Sequence, residues 1–360
     1  MNGVNDGLKG SSFDYDDSRN ILQSYLHRNI YHFSAAKSMT QLQIFRDMMV
    51  SDTGDILPFY KFRDKIKDLG IKFNEVWLET EHNTAMSTTI NAHRWDTIDA
   101  EYIEYTTVGD ERVRPEHAIL DGLTYPKNHR IWQKLTPPLD YNCRCGLKPG
   151  IAKNYKQQDA DKDERYVGGL VKDTIFDSNA GVTRLIFSEE HPYFENLSTG
   201  KIKEMKYNNY GLNTIDKIQS GKLKPVSLLQ SKEDYEAYWN SMTNHDKGIV
   251  LKSPIGNSIL FPDYESAHRG RINSYFKQHL TKDADRYKLI ANLQDIIQNP
   301  DEIWSVLKKN DKEPVTNHFI KYYQGKTLLV VTVGNEGKTM FELTESGFKT
   351  RSGLLMYRKN

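Results

Sequence analysis

The apolar residues of this chain change their spacing after Pro314, and this change constrains the fold more than any other feature of the sequence. Beyond Pro314, apolar and polar residues alternate, which is the period of a β-strand that buries one face. Four alternating segments are separated by short turns that contain glycine: HFIKYY, TLLVVTV, KTMFEL and GLLMYRK. We therefore predict a four-stranded antiparallel sheet in the C-terminal part of the chain.

The residues before Pro314 show the spacing of helices. Apolar residues three and four positions apart predict helices over residues 21–70 and 75–94, and over about 265–280 and 284–298. A helical turn is also predicted at NPDEIW, since Asn299 suits an N-cap and Pro300 suits the first helical position. Strands are predicted at 102–108 and within KGIVLKSPIGNSILF. Helices followed by an antiparallel sheet indicate the α+β class, here with a helical N-terminal domain that includes a small strand and loop motif.

Two domains are expected, because 360 residues exceed the length of one average domain. The charge-rich run KNYKQQDADKDERYVGG is typical of a solvated hinge. We predict a first domain over residues 1–160, a connector over 161–225 and a second domain over 226–360.

The composition argues against several classes of protein. A formal net charge of +1 disfavours a surface built mainly for nucleic acid or anionic lipid. No run of about 18 apolar residues is present, and the N-terminus lacks the apolar core of a secretory signal. Two cysteines cannot build a disulfide framework, which favours a reducing compartment. We therefore expect no membrane partner.

Both cysteines lie in an irregular stretch, RPEHAILDGLTYPKNHRIWQKLTPPLDYNCRC, that also contains His117. Imidazole and thiolate groups are good zinc ligands, so His117, Cys143 and Cys145 are candidates for a structural zinc site. Three further residues of the stretch are candidates for the fourth ligand: Asp121, His129 and Asp140. The alternative is that the cysteines are small buried apolar residues and that His117 hydrogen bonds to a backbone carbonyl.

The motifs RVRPEHAILDG, YP, PPL and NCRC, with LETEHNTAMSTTINAHRW before them, resemble the signature of the phage Mu F-like family of minor capsid, or head-morphogenesis, proteins. The resemblance covers about residues 20–150. Family members are minor components of tailed-phage heads, associated with the portal and sometimes delivered with the DNA. The resemblance therefore implies phage portal and capsid proteins as partners, and a location in the virion. The sequence before the motif is shorter than in many members, which implies a reduced portal-contacting part.

The C-terminal part has a second resemblance, to the phage barnase/EndoU/RelE-like nucleases, over about residues 226–360. Its motifs are HRGRINSYFKQHL, LIANLQDIIQNPDEIW, HFIKYYQGKTLLVVTV, KTMFEL and KTRSGLLMYRKN, with NPDEIW and the final Arg-x-Gly as the strongest. The resemblance implies a barnase-like domain of helices packed on the four-stranded antiparallel sheet. It also implies a toxin-like endoribonuclease that needs no cofactor for catalysis, acts on RNA in the bacterial host cytoplasm, and has an immunity protein as a possible partner.

Cleavage of RNA by its own 2′-hydroxyl needs a base for the hydroxyl proton, an acid for the leaving oxygen, and donors to the phosphorane. His279 is the candidate for proton transfer, since imidazole titrates near neutral pH. Arg351 is the candidate for phosphate binding, because its planar guanidinium matches phosphate oxygens. Further catalytic candidates are His268 and Arg271, one turn apart on the predicted helix, and Lys321 and Thr339 on the predicted sheet. Tyr275 and Tyr323 are the candidates for substrate binding.

The same residues also allow structural roles. A histidine near a helix end, like His279, is favoured by the helix dipole. His268 and Arg271 would suit an ordinary solvated helix face, and Thr339 shares its strand face with apolar residues. Residues 225–360 have a net charge of only +3, which does not decide for RNA. A purely structural minor capsid protein, whose C-terminal domain binds without cleaving, is therefore the alternative. A metal-dependent DNA nuclease is disfavoured, because the clustered acids of two-metal chemistry are missing.

Overall fold

A computed structural model describes residues 18–49, 75–172, 174–195, 197–263, 266–268, 271–273, 276–282, 285–306, 315–343 and 350–359. Two compact units are present: the first contains residues 32–198, and the second contains residues 18–31 and 199–359. The predicted domain boundaries near residues 160 and 225 stay predictions. Within the described ranges, no helix has the length and the apolar character needed to cross a membrane.

The first unit is mainly helical and contains one small sheet. Its α-helices are the part of α1 (Ser18–Met49) from residue 32 onward, α2 (Glu75–Thr97), α3 (Pro115–Ala118), α4 (Trp132–Leu135), α5 (Ala160–Val171) and α6 (Ala180–Thr183). Short 3-10 helices span Ala152–Asn154, Gln157–Asp159 and Pro192–Glu195. The sheet is antiparallel, with β1 (Tyr102–Thr106) between β2 (Thr124–Pro126) and β3 (Gly146–Pro149). The predicted helix at 75–94 and the predicted strand from residue 102 are confirmed. Of the helix predicted over 21–70, the part beyond residue 49 lies outside the described residues.

The core of the first unit includes a helix where the charge pattern predicts a hinge. Helix α5 carries its charges on one side, while Val167 and Val171 on the other side are completely buried. They pack in one cluster with Ile103 of β1 and with Trp132 and Leu135 of α4. The prediction of a solvated hinge is wrong for this segment, because its few apolar residues share one face of the helix and complete the core.

The second unit is built around a larger sheet. Its α-helices are the first part of α1, then α7 (Thr199–Glu204), α8 (Ile215–Gln219), α9 (Lys232–Met242), α10 (Phe276–Lys282) and α11 (Leu293–Gln298). Two 3-10 helices span Tyr207–Tyr210 and Arg286–Asn292. The strands are β4 (Gly248–Lys252), β5 (Ser258–Pro262), β6 (Ser266–His268), β7 (Arg271–Asn273), β8 (Glu302–Val306), β9 (Thr316–Tyr323), β10 (Lys326–Val333), β11 (Glu336–Glu342) and β12 (Leu354–Arg358).

The sheet of the second unit has seven strands in the order β12-β8-β9-β10-β11-β5-β4. The α+β class and the antiparallel meander β9-β10-β11 are confirmed, but the predicted number of four strands is too low. Strand β12 does not continue the meander; it pairs with β8, at the far edge of the sheet. Residues of NPDEIW, predicted to form a helical turn, instead form β8, in which Ile303 and Trp304 are both fully buried. A central strand that is buried on both faces has no alternating pattern to reveal it.

The helix predicted over about 265–280 begins later than its apolar spacing indicates. Strands β6 and β7 form an antiparallel two-stranded hairpin, and among the described residues of this segment only those from Phe276 onward are helical. Arg269 and Gly270 lie outside the described residues, but a glycine in the sequence already disfavours the interior of a helix. The helix predicted over 284–298 is present as a 3-10 helix followed by α11.

The two faces of the larger sheet are covered differently. On one face, Trp304, Ile320, Tyr322 and Leu329 pack against Leu212 and its neighbours in the segment 207–223. On the opposite face, α11 packs on β4, β9 and β10. Residues of one strand therefore meet the segment 207–223, which contains α8, or helix α11, according to their parity.

Helix α5 is expected to stabilise the first unit. Val167→Ala should lower the local free energy of unfolding by about 2 kcal/mol, because a buried side chain is replaced by a cavity. Hydrogen exchange of the β1 and α5 amides in the full chain measures this change. The matched control is Arg165→Ala, which removes an exposed side chain from the same helix. Equal protection in the two variants would contradict the placement of α5 in this core.

Candidate functional sites

His117, Cys143 and Cys145 form a buried cluster in the first unit. The Nδ1 atom of His117 lies 3.7 Å from the Cys143 Sγ atom and 3.9 Å from the Cys145 Sγ atom. The three potential ligand atoms lie within 4.8 Å of one another, and all three side chains are buried. Neither cysteine forms a disulfide bond. The sequence therefore identified three residues that the fold brings together.

Helix α2 holds the cysteine-containing loop through side-chain hydrogen bonds. The Ser87 hydroxyl donates to the carbonyl oxygen of Cys143 over 2.9 Å, and the Asn91 amide donates to that of Cys145 over 3.1 Å. His117 comes from α3, a single turn that begins with Pro115 at its first position. Helix α2 thus holds the backbone of both cysteines, while their sulfur atoms point toward the His117 imidazole.

Tyr105 of β1 also faces this cluster, which the sequence did not indicate. Its hydroxyl group is buried beside the Cys145 sulfur. Burial is the main cause that raises the pKa of Tyr105, and the charges of the two cysteines raise it further. The hydroxyl makes no hydrogen bond of ordinary geometry with the described residues. A hydrogen bond from Cys145 lowers the pKa of Cys143; burial opposes this effect, and a hydrogen bond with His117 adds to it. The pKa of Cys145 is raised, because it hydrogen bonds to Cys143 and is buried.

The three residues predicted as a fourth ligand are engaged elsewhere. The Asp121 carboxylate accepts hydrogen bonds from the backbone and hydroxyl groups of Thr107. His129 lies 3.8 Å from Glu164 and stacks obliquely on Tyr125. Asp140 lies 3.3 Å from Arg114. Within the described residues, the group of potential metal ligands is limited to His117 and the two cysteines.

In the second unit, Arg351 lies in a buried ion pair. Its side chain is 1% exposed, and it donates to both carboxylate oxygens of Glu302 over 2.8 and 2.6 Å. It also donates to the carbonyl oxygen of Asn213 over 2.8 Å, and its guanidinium group stacks 4.6 Å from the Tyr207 ring centroid. Burial lowers the pKa of Arg351, but the hydrogen bonds with Glu302 together with the nearby charges of Tyr322, Glu302 and Tyr207 raise it overall.

This ion pair joins the two strongest motifs of the C-terminal segment. Glu302 belongs to NPDEIW, and Arg351 belongs to the final Arg-x-Gly. The glycine of that motif, Gly353, has a φ of +94°, and a Cβ atom there would lie 2.7 Å from the carbonyl oxygen of Ser305. Both motifs thus have a structural explanation. The role of Arg351 in phosphate binding stays a prediction, and its contacts support a structural role.

Lys321 and Tyr323 lie together on the helix-covered face of β9. The Tyr323 hydroxyl donates to Asp295 of α11 over 2.7 Å, and Lys224 lies 2.6 Å from the same carboxylate. The ammonium group of Lys321 is buried, donates to the carbonyl oxygen of Asn299, and lies 3.7 Å from Asp301. Burial lowers the pKa of Lys321. Lys321 and Tyr323 are therefore buried under α11, and their roles in catalysis and substrate binding stay predictions.

Thr339 and His279 lie at a different part of the sheet. Thr339 of β11 accepts a hydrogen bond from the Arg286 guanidinium group over 3.3 Å, and Arg286 stacks 5.5 Å from the Phe341 ring centroid. His279 lies on α10, which packs against both β11 and the 3-10 helix that contains Arg286. Three mutually contacting elements therefore carry His279, Arg286 and Thr339. We call these three residues the β11 edge cluster, because the described part of β11 beyond Glu336 pairs with β10 alone. Arg286 and Thr339 are in direct contact, whereas His279 is placed near them through the packing of α10 on β11.

Sequence analysis missed Arg286, although its position was visible as a basic residue at the start of an amphipathic segment. His268 and Arg271 lie on β6 and β7, where they pair across the hairpin. Their predicted separation by one helical turn is wrong, because this segment is extended. Tyr275 lies outside the described residues.

Comparison with known protein families gives two matches. Residues 60–148 match the family described as Phage Mu protein F like protein. Residues 248–358 match the family described as phage-Barnase-EndoU-ColicinE5/D-RelE like nuclease2. The two resemblances predicted from the sequence are thereby confirmed. The chain thus joins a segment that matches the Mu F-like family to a segment that matches the phage nuclease-like family.

Individual relatives match the chain over short regions. The Mu-like prophage FluMu F protein of Haemophilus influenzae is 36% identical over 72 residues, which are 20% of this chain and 17% of that protein. The putative capsid assembly protein F of Escherichia phage Mu is 38% identical over 56 residues, 16% of this chain and 13% of that protein. An uncharacterized protein of Methanocaldococcus jannaschii is 27% identical over 139 residues, 38% of this chain and 22% of that protein. The chain thus covers about a fifth or less of the length of these relatives. No solved structure matches.

The Glu302–Arg351 pair is expected to stabilise the edge of the larger sheet. Arg351→Ala should lower the local free energy of unfolding by about 3–5 kcal/mol, because it leaves a buried carboxylate without its cation. Hydrogen exchange of the β8 and β12 amides measures the loss. Arg358→Ala, which removes an exposed arginine from β12, is the control and should change little. Similar exchange in both variants would show that the pair has no structural importance.

Proposed function

We propose that this protein is a minor component of a phage head whose second unit is a metal-independent endoribonuclease. The observation that carries the proposal is that the two family matches lie in different compact units, 60–148 in the first and 248–358 in the second. The similarity to a protein named as a putative capsid assembly protein supports the role in the head. The proposed partners are accordingly phage portal and capsid proteins, and the proposed location is the virion.

The proposed reaction is an internal transfer within RNA. The 2′-oxygen attacks the adjacent phosphorus atom, and the bond from phosphorus to the 5′-oxygen breaks. A base accepts the proton of the 2′-hydroxyl, and an acid gives a proton to the leaving 5′-oxygen. The products are a 2′,3′-cyclic phosphate and a 5′-hydroxyl end, so that no water, metal ion or cofactor takes part in the cleavage step.

We assign this reaction to the β11 edge cluster. His279 supplies an imidazole for one proton transfer. Arg286 supplies a cation for the phosphate, and its planar guanidinium group is suited to two phosphate oxygens. Thr339 holds this guanidinium group through the 3.3 Å hydrogen bond. Among the arginines considered, Arg286 is the better candidate, because Arg351 directs its donors to Glu302 and Asn213.

The proposal has a cellular consequence. A nuclease delivered from a phage head would act on RNA in the bacterial host cytoplasm, where it would be toxic. A cell that makes such a protein before assembly would need protection from it, and an immunity protein that covers the β11 edge cluster would provide this. We expect such an inhibitor to be acidic, because it would have to cover cationic side chains.

The second candidate function is a purely structural head protein whose second unit binds without cleaving. Two observations favour it. The net charge of residues 225–360 is only +3, which gives weak attraction for a polyanion. In addition, Lys321, Tyr323 and Arg351 are all used in buried contacts within the fold.

RNA cleavage by the purified full chain tests the proposal. The wild-type protein should cleave single-stranded RNA in the presence of a chelator and leave 2′,3′-cyclic phosphate ends. His279→Ala should slow cleavage by about 10²–10⁴-fold, the usual contribution of a proton-transfer group. Arg286→Ala should slow it by about 10²–10³-fold, as expected for the loss of a donor to the transition state. A substrate with 2′-deoxyribose at the cleaved position should be inert.

The controls separate the two candidate functions. His245→Ala removes a histidine from the turn before β4, where it contacts Asp246 and accepts a hydrogen bond from the Lys247 backbone, and should leave the rate unchanged. Binding of RNA without cleavage by the wild-type chain would favour the structural alternative. Normal cleavage by His279→Ala would show that the nuclease is real but that its site has been assigned to the wrong residues.

A further inference from the structure

The His117, Cys143 and Cys145 cluster has the dimensions of a metal site. Tetrahedral zinc binds sulfur at about 2.3 Å and nitrogen at about 2.0–2.1 Å, which places the two ligand atoms about 3.6 Å apart. The observed distances from the His117 Nδ1 atom to the two sulfur atoms are 3.7 and 3.9 Å. The three side chains therefore already outline two edges of the coordination tetrahedron.

The burial of these groups also favours an ion over a purely structural role. Sulfur is a weak hydrogen-bond donor and a weak acceptor, so a histidine nitrogen that faces two sulfur atoms gains little from them. Burial of polar groups without good partners is unfavourable, and most proteins avoid it. An ion at the centre of the cluster would give each of the three atoms a strong partner.

A fourth contact is available from Tyr105. Its hydroxyl group is buried beside the Cys145 sulfur and makes no ordinary hydrogen bond with the described residues. Tyr105 lies on β1, the central strand of the small sheet, whereas the cysteines precede β3 and His117 lies on α3. The Tyr105 hydroxyl thus adjoins the cluster on the side of Cys145, and β1, α3 and the cysteine loop each contribute to the group.

We propose that His117, Cys143 and Cys145 bind one zinc ion and that the Tyr105 hydroxyl oxygen completes its tetrahedron. Two sulfur ligands and one imidazole select zinc over magnesium or calcium, which prefer oxygen ligands. The thiols bind as thiolates, so their protons pass to the solvent when the ion enters. A cavity of about 650 Å³ lined by both cysteines, next to α2, gives the ion a path into the site.

The zinc ion has a structural function in this arrangement. Residues 117 and 143 are 26 positions apart, and the ion closes the loop between them against β1. Such a closure stabilises the folded state by restricting the unfolded chain. Removal of the ion should therefore loosen the first unit and leave the RNA cleavage site of the second unit unchanged, which separates this inference from the proposed nuclease.

Metal analysis of the full chain is the first test. Protein that has been reduced, stripped with a chelator, reloaded with zinc and washed should contain about one zinc per chain. Cys143→Ser, Cys145→Ser and His117→Ala should each lose most of the metal, and His129→Ala, which removes a histidine of the same stretch, should retain it. Wild-type protein that binds no zinc would overturn the proposal.

Two further measurements protect the test against misfolded variants. Cobalt added to the stripped wild-type chain should produce the visible bands of a tetrahedral ion and the near-ultraviolet absorption of cobalt–thiolate bonds; their absence would also overturn the site. Tyr105→Phe should weaken zinc binding by about 10-fold or more in competition with a chromophoric chelator, as found for groups that support a metal site. An unchanged affinity would exclude Tyr105 from the site while leaving the other three ligands in place.

Discussion

The carboxylate of Glu302 accepts four hydrogen bonds inside the second unit, and the arrangement of the sheet edge depends on them. Two come from Arg351, one from the Trp304 indole and one from the Tyr322 hydroxyl. A buried carboxylate with fewer partners would be strongly unfavourable, so strand β12 must lie next to β8 to bring Arg351 into place. The third nitrogen of Arg351 reaches Asn213 and thereby ties the segment 207–223 to the same point.

Because Arg351 directs its donors to Glu302 and Asn213, another part of the sheet is the better candidate for a phosphate-binding site. The face of the sheet next to the ion pair is filled by aromatic and aliphatic side chains, and the opposite face is covered by α11. Cations buried in these layers serve the fold. The β11 edge cluster, which we propose as this site, differs, because its imidazole comes from a short helix and its cation from a 3-10 helix, both of which pack against β11. Reactive groups on connecting segments, held by a rigid sheet, are a common arrangement in enzymes.

Hydrogen bonds from side chains to backbone carbonyls help to hold the first unit together. Its small sheet has three short strands, and much of the stretch between β1 and β3 is irregular. Helix α2 fixes the cysteine loop through Ser87 and Asn91, and helix α5 closes the core beneath it. With so little regular structure, contacts between side chains and backbone carbonyls determine the path of the chain. The buried cluster around His117 lies where these contacts meet.

Local patterns were sufficient for the parts of the fold that are set by neighbouring residues. Helix α2, strand β1 and the meander β9-β10-β11 all have a period that appears within a few residues, and each was predicted. Strand β8 was mistaken for a helical turn because Asn299-Pro300 resembles a helix start and because burial on both faces removes the alternation. The hairpin β6-β7 was mistaken for a helix because three short segments happened to place apolar residues at helical spacing.

The sequence by itself determined the α+β class, both family resemblances and the three residues of the cysteine–histidine cluster, since these depend on residue types and on their order along the chain. Tertiary structure alone decided that β12 lies beside β8, that Arg351 is paired with Glu302, that Arg286 lies next to Thr339 and that Tyr105 faces Cys145. Each of these pairs joins residues that are distant in sequence, from 40 positions for Tyr105 and Cys145 to 53 for Arg286 and Thr339. Such contacts form when whole elements bury their apolar faces against one another, and no local period carries that information.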